Sequence, residues 1–164
     1  MAATKTSLRT LARRWQQLQA ELDRLDRQLQ ALVTSTAPTL VALPGVGVET
    51  AGQLLVTTGD NPQRLRGEAA FAHLCGVAPI PASSGRTHRH RLNRGGDRHA
   101  NNALGRIALV RMRCHPPTRA YVERRTKQGL SKLDIIRCLK RYIAREIYHQ
   151  LTSPPLTAST ACPK

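Results

Sequence analysis

Leucines recur at alternating intervals of three and four residues along the first part of the chain, and mostly polar residues fill the positions between them. This is the a/d repeat of a coiled coil, and neither glycine nor proline interrupts it. An amphipathic helix lying on its own domain is the alternative, because the repeat lasts only about four heptads. A stripe two residues wide is narrow for such a face. We therefore expect a helix that pairs with another helix, in this chain or a second copy, through Leu8, Leu11, Trp15, Leu18, Leu22, Leu25, Leu29 and Leu32.

The next pattern is an apolar segment, a glycine-rich turn and a second apolar segment. Pro38 ends or restarts the first helix, and residues 40–43 lead into the turn Pro44-Gly45-Val46-Gly47. A helix to about Thr57 follows, so the pattern is typical of a helix-hairpin-helix element. In such an element Gly45 and Gly47 would let backbone amides approach a phosphate closely. A simple αα turn in the core is the alternative interpretation.

Four more helices are predicted by apolar spacing and by the residues that bound them: about 67–75, 98–114, 118–128 and 131–151. Asp97 is a suitable N-cap for the second of these, and Thr118 for the third. The predicted fold class is all-α: a coiled-coil helix at 1–36, and a small helical domain at 37–151 with the helix-hairpin-helix and a basic loop or short hairpin. A Pro/Ser/Thr-rich tail at 152–164 is expected to be disordered.

The charge of the chain limits the classes of partner that it is expected to bind. The net charge is +16, and between Arg86 and Leu151 there are 17 Lys and Arg against four acids. Such a field usually has a polyanionic partner, and nucleic acid is the first candidate. A membrane surface is the second, but no long apolar run supports it. The expected contacts are mostly with phosphates, since charge alone does not read bases.

The segment from Gly76 to Arg98 combines a candidate nucleophile with clustered positive charge. Ser83 and Ser84 precede Gly85 and are candidates for contact with a sugar-phosphate strand, with Ser84 as the candidate nucleophile. A serine needs an activator, and no oriented Ser-His-Asp set can be argued, so a plain turn is the alternative. His88 and His90 are best explained as phosphate-contacting or solvated. The candidate nucleic-acid contacts of the segment are Arg86, Arg89, Arg91, Arg94 and Arg98.

Metal binding by this chain is not expected. Its four cysteines, Cys75, Cys114, Cys138 and Cys162, show no C-x-x-C pairing or zinc spacing. No set of spaced carboxylates could hold magnesium, and Asp60 and Asp97 have turn or cap roles. The N-terminus shows no signal peptide, so a cytoplasmic, nucleoid-associated location is expected.

The chain from about Leu40 to Leu151 resembles the C-terminal domain of the insertion-sequence family numbered one-ten, transposases related to the Piv DNA invertase. The similarity rests on four segments in matching order and spacing: LPGVGVETAGQLL, GDNPQRLRGEAAFAHLCGVAP, ASSGRTHRHRLNRGGDRHANNAL and TRAYVERRTKQGLSKLDIIRCLKRYIAREIY. It implies that Ser84 matches a serine that links covalently to DNA, and that the arginines after Gly85 line nucleic acid. It also implies that residues 8–32 are the family's coiled coil.

The resemblance further implies a RuvC-like N-terminal domain whose four acids bind magnesium, and a structured guide RNA that bridges donor and target DNA. This chain begins just ahead of the coiled coil, so we expect that domain to be absent. The expected function is that of a DNA-binding transposase or recombinase fragment, inactive on its own. Its partners would be DNA, a guide RNA, and a second copy or a full-length transposase. The alternatives are a non-catalytic nucleic-acid-binding module and a dominant-negative coiled-coil interaction protein.

Overall fold

The computed structural model describes residues 2–59, 65–86 and 90–152, which form seven helices and one two-stranded antiparallel sheet. The prediction of an all-α fold is confirmed. The helices are α1 (Ala2–Thr36), α2 (Pro38–Val41), α3 (Val48–Thr58), α4 (Glu68–Leu74), α5 (Arg98–Cys114), α6 (Pro116–Lys127) and α7 (Lys132–Thr152). The strands are β1 (Ile80–Pro81) and β2 (His90–Arg91).

Helix α1 is continuous over 35 residues, as its uninterrupted repeat predicts. Among its described side chains only Val33 is buried, close to where the helix ends against α3. Gly52 of α3 permits that approach, since a Cβ there would lie 3.3 Å from Val33 Cγ2 and 3.6 Å from Leu29 Cδ1. The repeating leucines before this contact stay exposed. The helix is confirmed, whereas its pairing with another helix stays a prediction.

Helix α5 is the centre of the remaining domain, with α3, α6 and α7 packed on it. Its buried face includes Leu104 and Ile107, spaced as the sequence predicts. The core around it is mostly aliphatic, in keeping with the low aromatic content, and Phe71 of α4 is its largest buried side chain. The helices are therefore held together mainly by aliphatic burial.

The predicted helix starts are right at one position and wrong at another. Asp97 caps α5, and its Oδ1 accepts hydrogen bonds from the amides of His99 (2.7 Å) and Ala100 (3.4 Å). Thr118 does not cap α6, which begins two residues earlier at Pro116. Proline is favoured in the first helical turn because its missing N–H has no partner there anyway. Thr118 is instead buried, with its hydroxyl 2.8 Å from Nδ1 of His115.

No helix in residues 2–59, 65–86 and 90–152 is long and apolar enough to cross a membrane. Helix α7 continues to Thr152, one residue into the predicted tail. The rest of that tail, residues 153–164, lies outside the described residues. The domain boundaries at 36 and 151 stay predictions.

Candidate nucleic-acid interface

The candidate nucleophile lies in a short hairpin. Strands β1 and β2 pair Ile80 with Arg91 and Pro81 with His90, so the basic segment folds back along the approach to Ser84. Ser83 and Ser84 are exposed, and Gly85, in the following turn, has a φ of +55°, which favours glycine. The Ser84 hydroxyl forms no hydrogen bond with any described residue. A serine that stabilises a turn usually hydrogen-bonds the local backbone through its hydroxyl, and the described residues contain no such bond for Ser84.

The arginines of this segment have no acidic partner among the described residues. Arg86, Arg91, Arg94 and Arg98 are all exposed, in the turn after Ser84, in β2, in the loop after β2 and at the start of α5, respectively. None of them appears in an ion pair within residues 2–59, 65–86 and 90–152. Arg89 and His88 lie outside the described residues. The described part of the hairpin therefore presents positive charge that its own acids do not neutralise.

Two glycines close the base of the hairpin. A Cβ on Gly96 would lie 2.2 Å from the backbone nitrogen of Gly76 and 2.4 Å from its Cα. Real Cβ atoms do not approach backbone so closely, so the two chain segments meet here only because position 96 has no side chain. Gly76 itself has a φ of +65°, in the left-handed region, and ends α4 as predicted. The backbone contact fixes where the hairpin leaves the domain.

The C-terminal carbonyl groups of α4, which have no partner within a helix, are bonded by residues beyond the hairpin. Asn93 Nδ2 donates to the carbonyl of His73 (3.3 Å), and the amide of Asp97 donates to that of Leu74 (2.7 Å). Asn101 Nδ2 donates to two more carbonyls, those of Cys75 (3.0 Å) and Gly76 (3.1 Å). Both ends of the hairpin are thereby tied to the junction of α4 and α5.

Side chains from α3 and α7 support this junction. Lys140 Nζ of α7 donates to Asn101 Oδ1 at 2.8 Å, and burial lowers the pKa of Lys140. Gly105 leaves room for this lysine, because a Cβ there would lie 3.2 Å from Nζ. Thr57 of α3 donates its hydroxyl to Asp97 Oδ2 at 2.7 Å, and this bond holds the pKa of Asp97 below its ordinary value. The hairpin thus stands on a base built from four helices.

Cys75 is enclosed in the same base and is not a reactive thiol. Burial, and then the nearby charge of Asp97, raise its pKa to about 12. The thiol therefore stays protonated at neutral pH and behaves as a small apolar core group.

The glycine-rich turn between α2 and α3 is fixed to a different part of α5. Gly45 has a φ of +74°, and a Cβ there would lie 3.1 Å from Cγ of Arg111. Arg111 is 6% exposed and donates from Nε to the carbonyl of Pro44 (2.6 Å) and from Nη1 to Glu146 Oε2 of α7 (2.6 Å). Ten residues of α5, about 15 Å of helix, separate Arg111 from Asn101. The turn and the hairpin therefore occupy separate parts of the domain.

The phosphate contact predicted for this turn stays a prediction, and its amides have competing partners. The Gly47 amide already donates to Thr50 Oγ1 at 3.0 Å. Glu49 lies in the first turn of α3, where an anion would be favoured, and pairs with Arg106 at 2.7 Å. The geometry itself gives Gly45 a packing role against α5.

Sequence reasoning did not identify the residues that fix these two elements. Arg111 follows Leu104, Ile107 and Ala108 on one helical face, a spacing that indicates burial. Its partner Glu146 is 35 residues away, and no local pattern indicates that contact. Asn101 is one turn after the cap Asp97, but its partners are Cys75 and Gly76, just after α4, and Lys140 of α7.

Comparison with known proteins decides the family. A family model described as "Transposase IS116/IS110/IS902 family" matches residues 37–123, more than half of the chain. The chain belongs to this transposase family. The matched part contains the glycine-rich turn, the hairpin, and α4 and α5 at its base, but neither α1 nor α7, which carries Lys140.

Two curated relatives are insertion-element proteins described as uncharacterized. The 43.6 kDa protein of insertion element IS110 from Streptomyces coelicolor is 37% identical over 108 residues, covering 64% of this chain and 26% of the relative. The 42 kDa protein of IS900 from Mycobacterium paratuberculosis is 29% identical over 106 residues, covering 64% and 27%. The chain spans about a quarter of the length of these relatives. The predicted resemblance is thus confirmed as membership of the transposase family.

Proposed function

We propose that this member of the IS110 family binds DNA through the β1–β2 hairpin and contributes Ser84 as the nucleophile of strand exchange in transposition. The observation that carries the proposal is the exposed Ser84 hydroxyl, which no described residue hydrogen-bonds, on a hairpin whose described arginines lack acidic partners among the described residues. The fixed base adds to it, since a nucleophile must be held close to its target geometry. We place the chain with DNA in the cytoplasm.

In the proposed step, Ser84 Oγ forms a bond to the phosphorus of a DNA phosphodiester, and the bond from that phosphorus to one deoxyribose oxygen breaks. The serine proton passes to a general base, and the departing oxygen takes up a proton. The guanidinium groups of Arg86 and Arg91 stabilise negative charge on the phosphate oxygens. Attack by the hydroxyl of another strand then releases Ser84 and completes the exchange.

We further propose that this chain does not exchange strands alone. Among the described residues, no three histidine, cysteine, aspartate or glutamate side chains are grouped to hold a metal ion, so these residues do not fit a magnesium site. The magnesium ions implied by the family resemblance would be held by acids of a RuvC-like domain outside this chain. A guide RNA would be a further partner.

Replacing Ser84 tests the proposal. The chain is supplied with the N-terminal part of a full-length family member, magnesium, element DNA and guide RNA. We expect Ser84→Ala to abolish strand exchange, because the alanine has no nucleophilic oxygen, and to leave DNA affinity within about twofold, because binding rests on the arginines. Ser83→Ala is the matched control and should retain activity.

Two results would refute parts of the proposal. Undiminished exchange by Ser84→Ala would remove the nucleophile role. Robust products from the wild-type chain with no other protein would show that it does not depend on another domain.

The exposed leucine seam of α1 favours a second candidate function. Its large apolar side chains, from Leu8 to Leu32, are 36–65% exposed, although water disfavours such a stripe. In this alternative the chain pairs with full-length transposase and draws it into inactive mixed oligomers. Co-purification with a full-length relative, lost when Leu18 and Leu25 are replaced by glutamate, would support this function.

A further inference from the structure

Helix α6 has a narrow apolar face, in which Tyr121 and Val122 are partly buried against the core. Only Thr118 is buried among its residues. The helix carries four cations and one acid, and that acid, Glu123, pairs with Lys127 at 2.9 Å. Arg119, Arg124 and Arg125 have no acidic partner among the described residues. The packing of this narrow face does not require the positive charge that the other sides of α6 carry.

Two tyrosines lie beside these arginines. Tyr121 of α6 and Tyr142 of α7 meet edge to face, with ring centroids 5.8 Å apart and planes at 82°. The guanidinium carbons of Arg124 and Arg125 are 5.5 and 5.9 Å from the centroid of the Tyr121 ring. Tyr121 is partly buried, and burial, followed by the nearby Cys138, raises the pKa of its hydroxyl. Tyr142, by contrast, is 55% exposed.

Packing of α6 on α7 explains only part of this arrangement. The contact of Tyr121 with Tyr142 and Cys138 is what an interhelical aromatic pair provides. It does not explain why more than half of Tyr142 remains exposed or why two arginines without acidic partners stand beside the pair. Arg125 Nη1 donates to Gln128 Oε1 at 2.8 Å, a neutral partner that leaves its charge unneutralised. An exposed aromatic ring beside cations without acidic partners is the combination with which proteins bind unpaired nucleotides: bases stack on the ring, and the cations contact phosphates.

We infer that this surface, the Tyr142 patch (Tyr121, Arg124, Arg125 and Tyr142), binds an unpaired stretch of single-stranded DNA. A base stacks on Tyr142, while Arg124 and Arg125 contact the adjoining phosphates. The inference rests on the proposed function, because strand exchange separates DNA strands from their original partners. The patch is carried by α6 and α7, whereas the serine is carried by the hairpin, so the two surfaces can be tested separately.

Binding of the full-length chain to a fluorescently labelled oligothymidine, measured by anisotropy, tests the inference. Tyr142→Ala should weaken binding about 5- to 150-fold, the loss that follows from removing one base–aromatic stack. Tyr142→Phe is the matched control, because it keeps the ring and should bind within about twofold of wild type. Arg124→Gln with Arg125→Gln should weaken binding and reduce its dependence on salt. Tyr142 is exposed, and equal thermal unfolding midpoints would confirm that the fold is intact.

Parallel binding measurements with duplex DNA and with RNA distinguish failure of this inference from failure of the proposed function. Binding to fully paired duplex should be unchanged by Tyr142→Ala and weakened by Arg86→Gln with Arg91→Gln in the hairpin. If the hairpin variant loses duplex binding but Tyr142→Ala binds oligothymidine like wild type, the patch is refuted and the proposed function stands. If the wild-type chain binds no DNA, both fail. Preferential, Tyr142-dependent binding of oligouridine RNA would overturn the assignment to DNA.

Discussion

Among the glycines of the described residues, Gly96 has the least room for a side chain. The backbone of Gly76 occupies the space that any side chain at position 96 would need. Neighbouring Gly95 is different, because the nearest atom to a Cβ there would be Asn93 Oδ1 at 3.5 Å, an ordinary contact. Neither glycine has a positive φ, so the difference between them is one of space alone.

The two glycines therefore form a matched pair for mutation. Gly96→Ala must push the hairpin away from α4, and we expect it to lower the free energy of unfolding by about 1–3 kcal/mol. Gly95→Ala should change it by less than about 0.5 kcal/mol. Urea unfolding followed by circular dichroism measures both. Equal stability of the two variants would show that the hairpin base is not closed as described.

Asp97 makes the stability of the same base depend on pH. Its Thr57 hydrogen bond lowers its folded-state pKa, so the stability it contributes is present above the ordinary value of 3.8 and is lost as pH falls through the lower, folded value. Asn is an equally good cap but does not titrate. We expect Asp97→Asn to reduce the loss of stability that occurs as the pH falls below the ordinary carboxyl value of 3.8. An unchanged pH slope in urea unfolding would contradict the role given to this carboxylate.

At the scale of elements, α1 is the helix whose sequence pattern and environment disagree most. The repeat predicts a paired seam, yet within the described residues α1 packs on α2 and α3 near Val33, and its large apolar side chains from Leu8 to Leu32 stay exposed. Burying the exposed leucines against a second copy would remove this apolar surface from water. Self-association through α1 is therefore the arrangement we propose for the isolated chain.

Charged substitutions on and off the seam test this proposal. Leu18→Glu with Leu25→Glu should convert the chain to the 18.1 kDa monomer in sedimentation equilibrium, because two carboxylates would enter the seam. Gln17→Glu with Ala20→Glu adds the same charge outside the seam and should leave the oligomer intact. A wild-type chain that is already monomeric at micromolar concentration would count against the coiled coil.

The boundaries of most elements could be predicted because glycine, proline and capping residues act locally. Asp97 and Gly76 each do in the structure what their residue type predicts. The cap predicted at Thr118 was wrong because Pro116 and Pro117 also fit the first turn of a helix, so α6 begins before Thr118. The Thr118 hydroxyl instead lies at hydrogen-bond distance from Nδ1 of His115. The Asn101–Lys140 and Arg111–Glu146 contacts could not be predicted, since each joins residues at least 35 positions apart.

At the scale of the whole molecule, one helical core holds the hairpin, the α2–α3 turn and the Tyr142 patch in separate parts of the domain. Helix α5 fixes the hairpin near its start and the α2–α3 turn near its end, while α6 and α7 carry the Tyr142 patch. The charge of +16 gives the whole chain an attraction for polyanions. In the proposed function that polyanion is the DNA of an insertion element, and the hairpin supplies the Ser84 hydroxyl as nucleophile.

The most direct test is whether DNA becomes covalently attached to Ser84. The reconstituted reaction is stopped with denaturant and digested with nuclease and trypsin, which cuts after Arg66 and Arg86 and so releases a peptide with both serines. Fragmentation by mass spectrometry should place a nucleotide phosphate on Ser84 in the wild-type chain and none in Ser84→Ala. A nucleotide on Ser83 or another residue, or complete strand exchange without a protein-linked intermediate, would contradict the role of Ser84.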